Sequence, residues 1–282
     1  MCVKGMKSDF DFSNEVSLVT GAGRGIGLAI SEKLADLGST VALMARSSEE
    51  LQIAANEIRT RGGNAHVFSC DVSDLDNVKQ NVEEIENRLG PIKYLVNNAG
   101  VTGAAGRDWE VDPLQWWRTM EINVKGAFNC GHVVLKHMVE RRQGRIVNVS
   151  SSSAELIIPF MSSYGVSKAA LTHLTASTAE AAGEFGISIF SYCPGLVRTK
   201  MTDYMEKTND LPIIARQGMM DAFNSGKNVQ PSYSAEGVAY LLSGKADVLS
   251  GRHLDVREDL EGLVRKSKDI IEKDLLRLRI PR

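Results

Sequence analysis

The chain reads as an α/β protein, one domain built on an open, doubly wound parallel sheet with helices on both faces. Three observations predict it. Short apolar strands alternate with amphipathic helical stretches from Val16 to Tyr192, and such alternation demands a parallel sheet. The first strand runs straight into Gly21-Ala22-Gly23-Arg24-Gly25-Ile26-Gly27 and then a helix. Glycines there let the backbone turn tightly against a pyrophosphate, whose charge meets the positive end of the helix that follows. Finally, 282 residues with 43% apolar and 24% charged side chains suffice for one large core, and no linker-like stretch divides them.

Each element has its own signal. Val16 to Thr20 is a short apolar strand, and Leu28 to Leu37 an amphipathic helix after the glycine loop. Thr40 to Ala45 is a second strand; Ser48 to Arg61 is a helix with Leu51, Ala54, Ala55 and Ile58 on one side, stopped by Arg61-Gly62-Gly63. Ala65 to Ser69 is the third strand. Asp74 caps a helix running to Leu89, Gly90-Pro91 breaks it, and Tyr94 to Val96 is the fourth strand. Pro113 to Arg141 is helical, as one piece or two joined segments, and Arg145 to Val149 is the fifth strand. The helix Ser163 to Phe185 is apolar nearly all round, with Ala169, Ala170, Leu171, Leu174 and Ala181, which means burial on two sides. Ile187 to Tyr192 is the sixth strand.

Bulk properties exclude several classes. A net charge of -2 exerts no long-range pull on nucleic acid or acidic membranes. Cys2, Cys70, Cys130 and Cys193 have no paired spacing and read as reduced core residues; the five histidines form no metal-ligand pattern, so no metal is expected. The first fifteen residues lack an apolar signal core and no stretch approaches a membrane span, so a cytoplasmic location is expected.

Chemistry concentrates in Tyr164-Gly165-Val166-Ser167-Lys168, which sets a phenol and an ammonium four residues apart on one helix face. A nearby cation draws a phenol, whose free pKa is about 10, toward neutrality, and so makes an acid/base catalyst for an alcohol or a carbonyl. Its company is T-G-x-x-x-G-x-G from Thr20, Asn97-Asn98-Ala99-Gly100, Asn123, Ser151, and Pro194-Gly195 with Thr199. In that order and together, from about Val16 to Thr199, these motifs resemble the short-chain dehydrogenase/reductase family. The resemblance implies a Rossmann-type sheet of order 3-2-1-4-5-6-7. It implies a catalytic set of Asn123, Ser151, Tyr164 and Lys168: Tyr164 as acid/base, Lys168 lowering its pKa and holding the nicotinamide ribose, Ser151 binding the substrate oxygen, and Asn123 bending a helix and anchoring a water. Ser150, Ser152 and Ser153 flank Ser151, which is singled out because it lies thirteen residues before the tyrosine. It implies cofactor contacts from Gly21, Gly23, Arg24, Gly25, Ile26 and Gly27 in the loop, and from Arg46 and Ser47 after the second strand. Further contacts come from Asp71 and Val72, Asn97, Ala99 and Gly100, Tyr164 and Lys168, then Pro194, Gly195, Val197 and Thr199.

In such folds an Asp or Glu at the end of the second strand accepts both ribose hydroxyls and repels a 2′-phosphate. Here stands Met44-Ala45-Arg46-Ser47, with Arg24 nearby, and arginine forks around phosphate. NADP is therefore favoured. If Arg46 only stacks on adenine and Arg24 only fixes the loop, NAD is possible as well.

The substrate is read as a hydrophobic ketone or secondary alcohol. The loop Glu155 to Phe160 is mostly apolar, and Lys200 to Ser232 reads as a lid carrying Met201, Tyr204, Met205, Met219, Met220 and Phe223. Those side chains suit an irregular apolar ligand or simply pack the lid down. Residues 1–257 are read as the dinucleotide-binding and catalytic domain, with the lid at about 200–232, and 258–282 as a helical extension of it. After Ser250 to Val256, where many relatives finish with a glycine-rich turn, this chain adds a charged tail with Leu260, Leu263, Val264, Ile271, Leu275 and Leu278 in one stripe. The stripe packs on its own subunit, docks at a subunit interface or braces the lid. A homodimer or homotetramer is expected. A non-catalytic NAD(P)-sensing protein on the same scaffold is the alternative function.

Overall fold

The computed structural model describes residues 10–207, 211, 213–226 and 228–280. Cys2 and the last two residues of the tail lie outside it, as do residues 208–210, 212 and 227 of the predicted lid. Seven parallel strands form one sheet in the order β3-β2-β1-β4-β5-β6-β7, as the sequence predicts. They are β1 (Val16–Thr20), β2 (Thr40–Ala45), β3 (Asn64–Ser69), β4 (Ile92–Asn97), β5 (Gly144–Val149), β6 (Ile187–Cys193) and β7 (His253–Asp255). The β1, β4 and β6 strands are buried at almost every position, as a sheet covered on both faces requires.

The helices divide between the two faces. On one lie α1 (Gly25–Asp36) and α2 (Ser48–Thr60), sharing a core with Val19, Leu43, Val96 and Phe190. On the other lie α3 (Leu75–Leu89), α4 (Pro113–Met120), α5 (Gly126–Arg141) and α6 (Ser162–Ala182). Leu18, Met44, Leu95 and Ile146 fill the core on that side. Asp74 caps α3 by accepting from the amides of Asp76 and Asn77, as expected. The predicted region 113–141 is helical but carries a π turn, Glu121–Lys125, between α4 and α5. Such a turn widens the helix and frees backbone groups from their usual partners.

Beyond β6, the segment read as a lid contains α7 (Lys200–Lys207) and α8 (Ile213–Asn224). Next comes α9 (Pro231–Leu242), which has Val238, Ala239, Leu241 and Leu242 fully buried in the core beside α1. Its buried residues run consecutively round the helix, so a one-sided periodicity does not reveal it.

The tail corrects the single apolar stripe. It forms two short helices, α10 (Leu260–Arg265) and α11 (Ser267–Glu272), then turns through Asp274 and Leu276, whose φ angles are 48° and 60°. The break at Lys266 shifts the phase. Leu260 and Ile270 are buried and Leu276 packs against the same core, whereas Ile271 and Leu275 are exposed. The tail folds back on its own chain: Leu276 O accepts the backbone N–H of His253 (2.8 Å), and Arg252 donates to Asp274 and to Leu275 O (2.7 Å each).

Candidate active site

The predicted motifs converge at the carboxyl ends of the strands, where ligands bind in open parallel sheets. The glycine loop closes on itself there. A Cβ on Gly27 would lie 2.2 Å from Gly21 O, so only glycine lets the loop and α1 pack this closely. No side chain caps the N-terminus of α1, which leaves its leading amides available to an anion. Two residues that sequence reasoning left without a role hold this loop. Thr20 Oγ1 accepts the amides of Asn98 and Ala99 (3.0 Å each), and Asn98 Nδ2 donates to Thr20 O (2.9 Å) and Gly21 O (3.2 Å). Both stand inside quoted motifs, and the signal was a hydroxyl and an amide at the carboxyl ends of adjacent strands.

The remaining predicted cofactor residues separate. Arg46 is exposed at the end of β2 and pairs with no carboxylate among the described residues. Arg24 is engaged: its guanidinium meets Glu50 at 2.8 Å, and Lys200, at the start of α7, meets the same carboxylate at 3.2 Å. Burial works against the Glu50 charge, but bonds from Lys200 and Arg24 hold its carboxyl below the usual range. Ser47 caps α2 by accepting the amide of Glu50 (3.3 Å). Asp71 accepts from Ser73 and pairs with Arg118 at 3.1 Å; these bonds outweigh burial and depress its pKa. Val72 is buried, its carbonyl accepting from Asn129 Nδ2 (2.9 Å). The Asn97 side chain donates to Asn148 Oδ1 (2.8 Å) and lines a cavity between α5 and α6, on the face of the sheet away from the glycine loop. Strand alternation explains this, since Asn97 and Asn98 point to opposite faces. Pro194 O accepts from Ser234, Gly195 has φ 77°, Val197 is buried, and Thr199 lies against Gly25, whose added Cβ would be 3.3 Å from Thr199 Cγ2.

The four predicted catalytic side chains do come together. Ser151 lies near enough to the Tyr164 phenol to draw its pKa down, while Ser150 is buried and bonds to Thr172 (2.8 Å). The choice among neighbouring serines thus has a geometric basis. Lys168 Nζ donates to Val149 O (2.8 Å) and stands 5.6 Å from the Tyr164 ring centroid. Asn123, inside the π turn, exchanges bonds with the backbone of Val101 (2.8 and 2.9 Å) and donates to Ser167 Oγ (2.9 Å). Gly100 makes room for the pair: a Cβ there would lie 3.3 Å from Asn123 Oδ1 and 3.6 Å from Lys168 Nζ.

The electrostatics differ from the sequence expectation. Tyr164 is half-buried, and burial raises its pKa more than Ser151 lowers it. Lys168 is buried and is itself pushed down to about 8. Desolvation is the largest influence on both groups, and it raises the phenol while lowering the ammonium.

A cavity of about 420 Å³ is lined by Thr102, Val111, Asp112, Gln115 and Met161 with Met205 and Leu211 of the lid region, so polar and apolar side chains share its wall. Loop 155–160 and the segment 104–117 meet at its mouth. Gly106 N donates to Phe160 O (2.9 Å), Trp116 Nε1 donates to Ser162 Oγ (2.9 Å), and Ser162 Oγ donates to Asp108. Ile157 is 94% exposed and Trp109 80%, so an apolar rim faces solvent at the entrance. Of the other lid residues, Phe223 packs inward under the Arg198 guanidinium, 4.6 Å from its centroid; Met201 and Met220 are half-buried. The side chains of Tyr204 and Met219 lie outside the described residues.

No helix among the described residues is long and apolar enough to cross a membrane. Cys70, Cys130 and Cys193 are free and buried, with the thiols of Cys70 and Cys193 pushed up to about 12.

Known proteins resemble this chain in sequence and fold. The sequence profile of short chain dehydrogenases matches residues 15–210. The 3-oxoacyl-(acyl-carrier-protein) reductase FabG of Staphylococcus aureus is 32% identical over 244 residues, 85% of this chain and 95% of that protein. Among solved structures, a variant of actinorhodin polyketide ketoreductase with NADPH superposes with a TM-score of 0.80 at 33% identity, covering 88% of this chain and 97% of that one. An NAD+-bound xylitol dehydrogenase gives 0.80 at 30%, covering 86% and 98%. With its sheet order, its glycine loop and its gathered Ser, Tyr, Lys and Asn side chains, the chain belongs to the short chain dehydrogenase family of oxidoreductases.

Proposed function

We propose that the protein is an NADP-dependent reductase of a hydrophobic ketone, working reversibly on the corresponding secondary alcohol, with Tyr164 as the acid/base. The observation that carries this reading is the gathering of Ser151, Tyr164, Lys168 and Asn123 at the carboxyl edge of the sheet, with Lys168 Nζ 5.6 Å from the Tyr164 ring centroid. When bound, NADPH supplies the hydride. The chain's own residues do the rest: Ser151 and Tyr164 present two donors to an oxygen that gains negative charge, in a site preorganised for it. A phenol whose pKa is raised by burial stays protonated near neutrality, which suits proton donation to a carbonyl oxygen. Lys168, charged below about pH 8, steadies that site while Asn123 holds the strand end beside it.

The chemistry of the donor set fits a dinucleotide: an uncapped helix terminus behind a close-packed glycine loop, and at the end of β2 an exposed arginine with no carboxylate partner among the described residues. Solved neighbours hold NADPH in one case and NAD+ in another, so the choice rests on this chain's residues, and Arg46 supports NADP. Arg46→Asp is expected to shift the ratio of kcat/KM for NADPH over NADH downward by roughly 10- to 100-fold, since a bond to a charged group is worth about 1.5–3 kcal/mol. A wild type that already prefers NADH defeats the assignment.

The lining also argues on substrate. Relatives' names span ketoacyl, polyketide and polyol chemistry. A polyol needs a polar partner for each buried hydroxyl; Thr102, Asp112 and Gln115 supply a few, while Val111, Met161, Met205 and Leu211 and the exposed rim of Ile157 and Trp109 favour an apolar body carrying one carbonyl. The test is NADPH oxidation, below pH 8, over a panel of apolar ketones and of sugars. Turnover of the ketones is expected, and turnover confined to sugars or absent throughout overturns the reading. The non-catalytic sensor is not favoured. The groove between α5 and α6, with Phe128 exposed at its edge, supports a homodimer formed through that face.

A further inference from the structure

Behind the four gathered side chains runs a buried polar chain that their roles do not use. His253 of β7, 6% exposed, lies with Nδ1 2.8 Å from Ser191 Oγ. Ser191 Oγ is 3.0 Å from Thr172 Oγ1, and that oxygen is 2.8 Å from Ser150 Oγ. Ser150 Oγ then donates to the backbone carbonyl of Lys168 (3.2 Å). Four side chains on β7, β6, α6 and the end of β5 thus form one line ending on the residue beneath the Tyr164 ring.

The line has a direction. A hydroxyl carries a single hydrogen. Ser150 spends its own on Lys168 O, so Thr172 must donate to Ser150, Ser191 to Thr172, and His253 Nδ1 to Ser191. Every bond holds at once only if Nδ1 carries a hydrogen. Burial lowers the pKa of His253, with the charges of Glu155 and Asp255 opposing, so at neutral pH the ring is uncharged and must take the less common Nδ1–H tautomer.

We infer that His253 is a positioning residue for the reaction. By donating from Nδ1 it aligns three hydroxyls, so that Ser150 clamps the first two turns of α6, which carry Tyr164 and Lys168, to the segment just after β5, which carries Ser151. The inference rests on the proposed roles of those three residues. It predicts a loss in kcat without a loss in cofactor affinity, because the clamp sets the relation of Ser151 to Tyr164 and lies away from the glycine loop.

The test uses His253→Leu, which removes the donor, His253→Asn, whose Nδ2–H stands where Nδ1–H was, and Ser191→Ala, which cuts the next link. The leucine and alanine variants are each expected to lower kcat five- to twentyfold with the NADPH Kd unchanged within twofold. The asparagine variant is expected to stay within threefold of wild type. The leucine–alanine double variant is expected to be no worse than either single one, since a broken line is broken once. Nitrogen NMR of the imidazole is expected to report Nδ1–H. Additive losses, an unimpaired leucine variant or an Nε2–H tautomer overturn the proposal, and Ser191→Ala with the NMR decides it should the leucine variant fail to fold. Tyr164→Phe assayed alongside separates the failures: if it stays active the underlying roles are wrong, and if it is dead while the His253 series is silent, only the clamp is.

Discussion

Replacing Tyr164 by phenylalanine is expected to lower kcat/KM by about three orders of magnitude while NADPH binding persists within a few-fold. The ring sits half-buried at the start of α6, so phenylalanine fills the same space, and the change removes only the hydroxyl near Ser151. General acid catalysis by a positioned group contributes about 10²–10⁴-fold. The phenol is also one of the two donors awaiting charge on the substrate oxygen, so the upper half of that range applies. Stopped-flow turnover with the best ketone from the panel, paired with fluorescence titration of NADPH, measures both. Activity within tenfold of wild type removes Tyr164 from the role. A parallel loss of NADPH affinity moves its contribution from chemistry to binding.

Ending the chain at Asp259 is expected to cost the fold dearly, by lowering Tm by more than about 10 °C or by preventing soluble expression. Arg252 is 4% exposed, and its guanidinium is satisfied by Asp274 and the carbonyl of Leu275. Stripping the partners from a buried charge costs about 3–5 kcal/mol. Leu260 and Ile270 leave the core as well, at about 1.5–3 kcal/mol each for full burial. A chain of this size loses about 2–4 °C per kcal/mol. The cut also uncovers β7, whose His253 N–H pairs with Leu276 O; an opened edge strand recruits other chains. Differential scanning calorimetry and light scattering read the two effects, with Asp274→Ala as the milder version that removes one Arg252 partner. An unchanged melting temperature in the truncated protein contradicts this account. The tail's hydrogen bonds and ion pairs among the described residues reach β7, α6 and the tail itself, not α7 or α8. The substrate KM of Asp274→Ala is accordingly expected to stay unchanged, which departs from a lid-bracing tail.

Much of this was determined by the sequence alone, because local signals and the global fold agree. Strand and helix periods and the glycine run sufficed for a parallel sheet, and the family resemblance that the motifs carry implied its order, which the structure has. The Tyr164–Lys168 spacing placed both groups on one face before any coordinates, since helix geometry is fixed. What only tertiary structure decided is whatever depends on neighbours distant in the chain. Asn97 and Asn98 are adjacent and chemically alike, yet one faces α5 while the other holds the glycine loop, because the pleat sends them to opposite sides. Arg24 and Arg46 are alike as phosphate ligands in the sequence, but in the fold Glu50 pairs with the first and leaves the second without a carboxylate among the described residues. The Lys168 ammonium was expected to lower the tyrosine's pKa, but burial is a property of the packed fold, and it raised the phenol and lowered the ammonium together. The tail's apolar stripe was real as a pattern and wrong in phase, since a break at Lys266, invisible to periodicity, let Ile270 and Leu276 take the places assigned to Ile271 and Leu275.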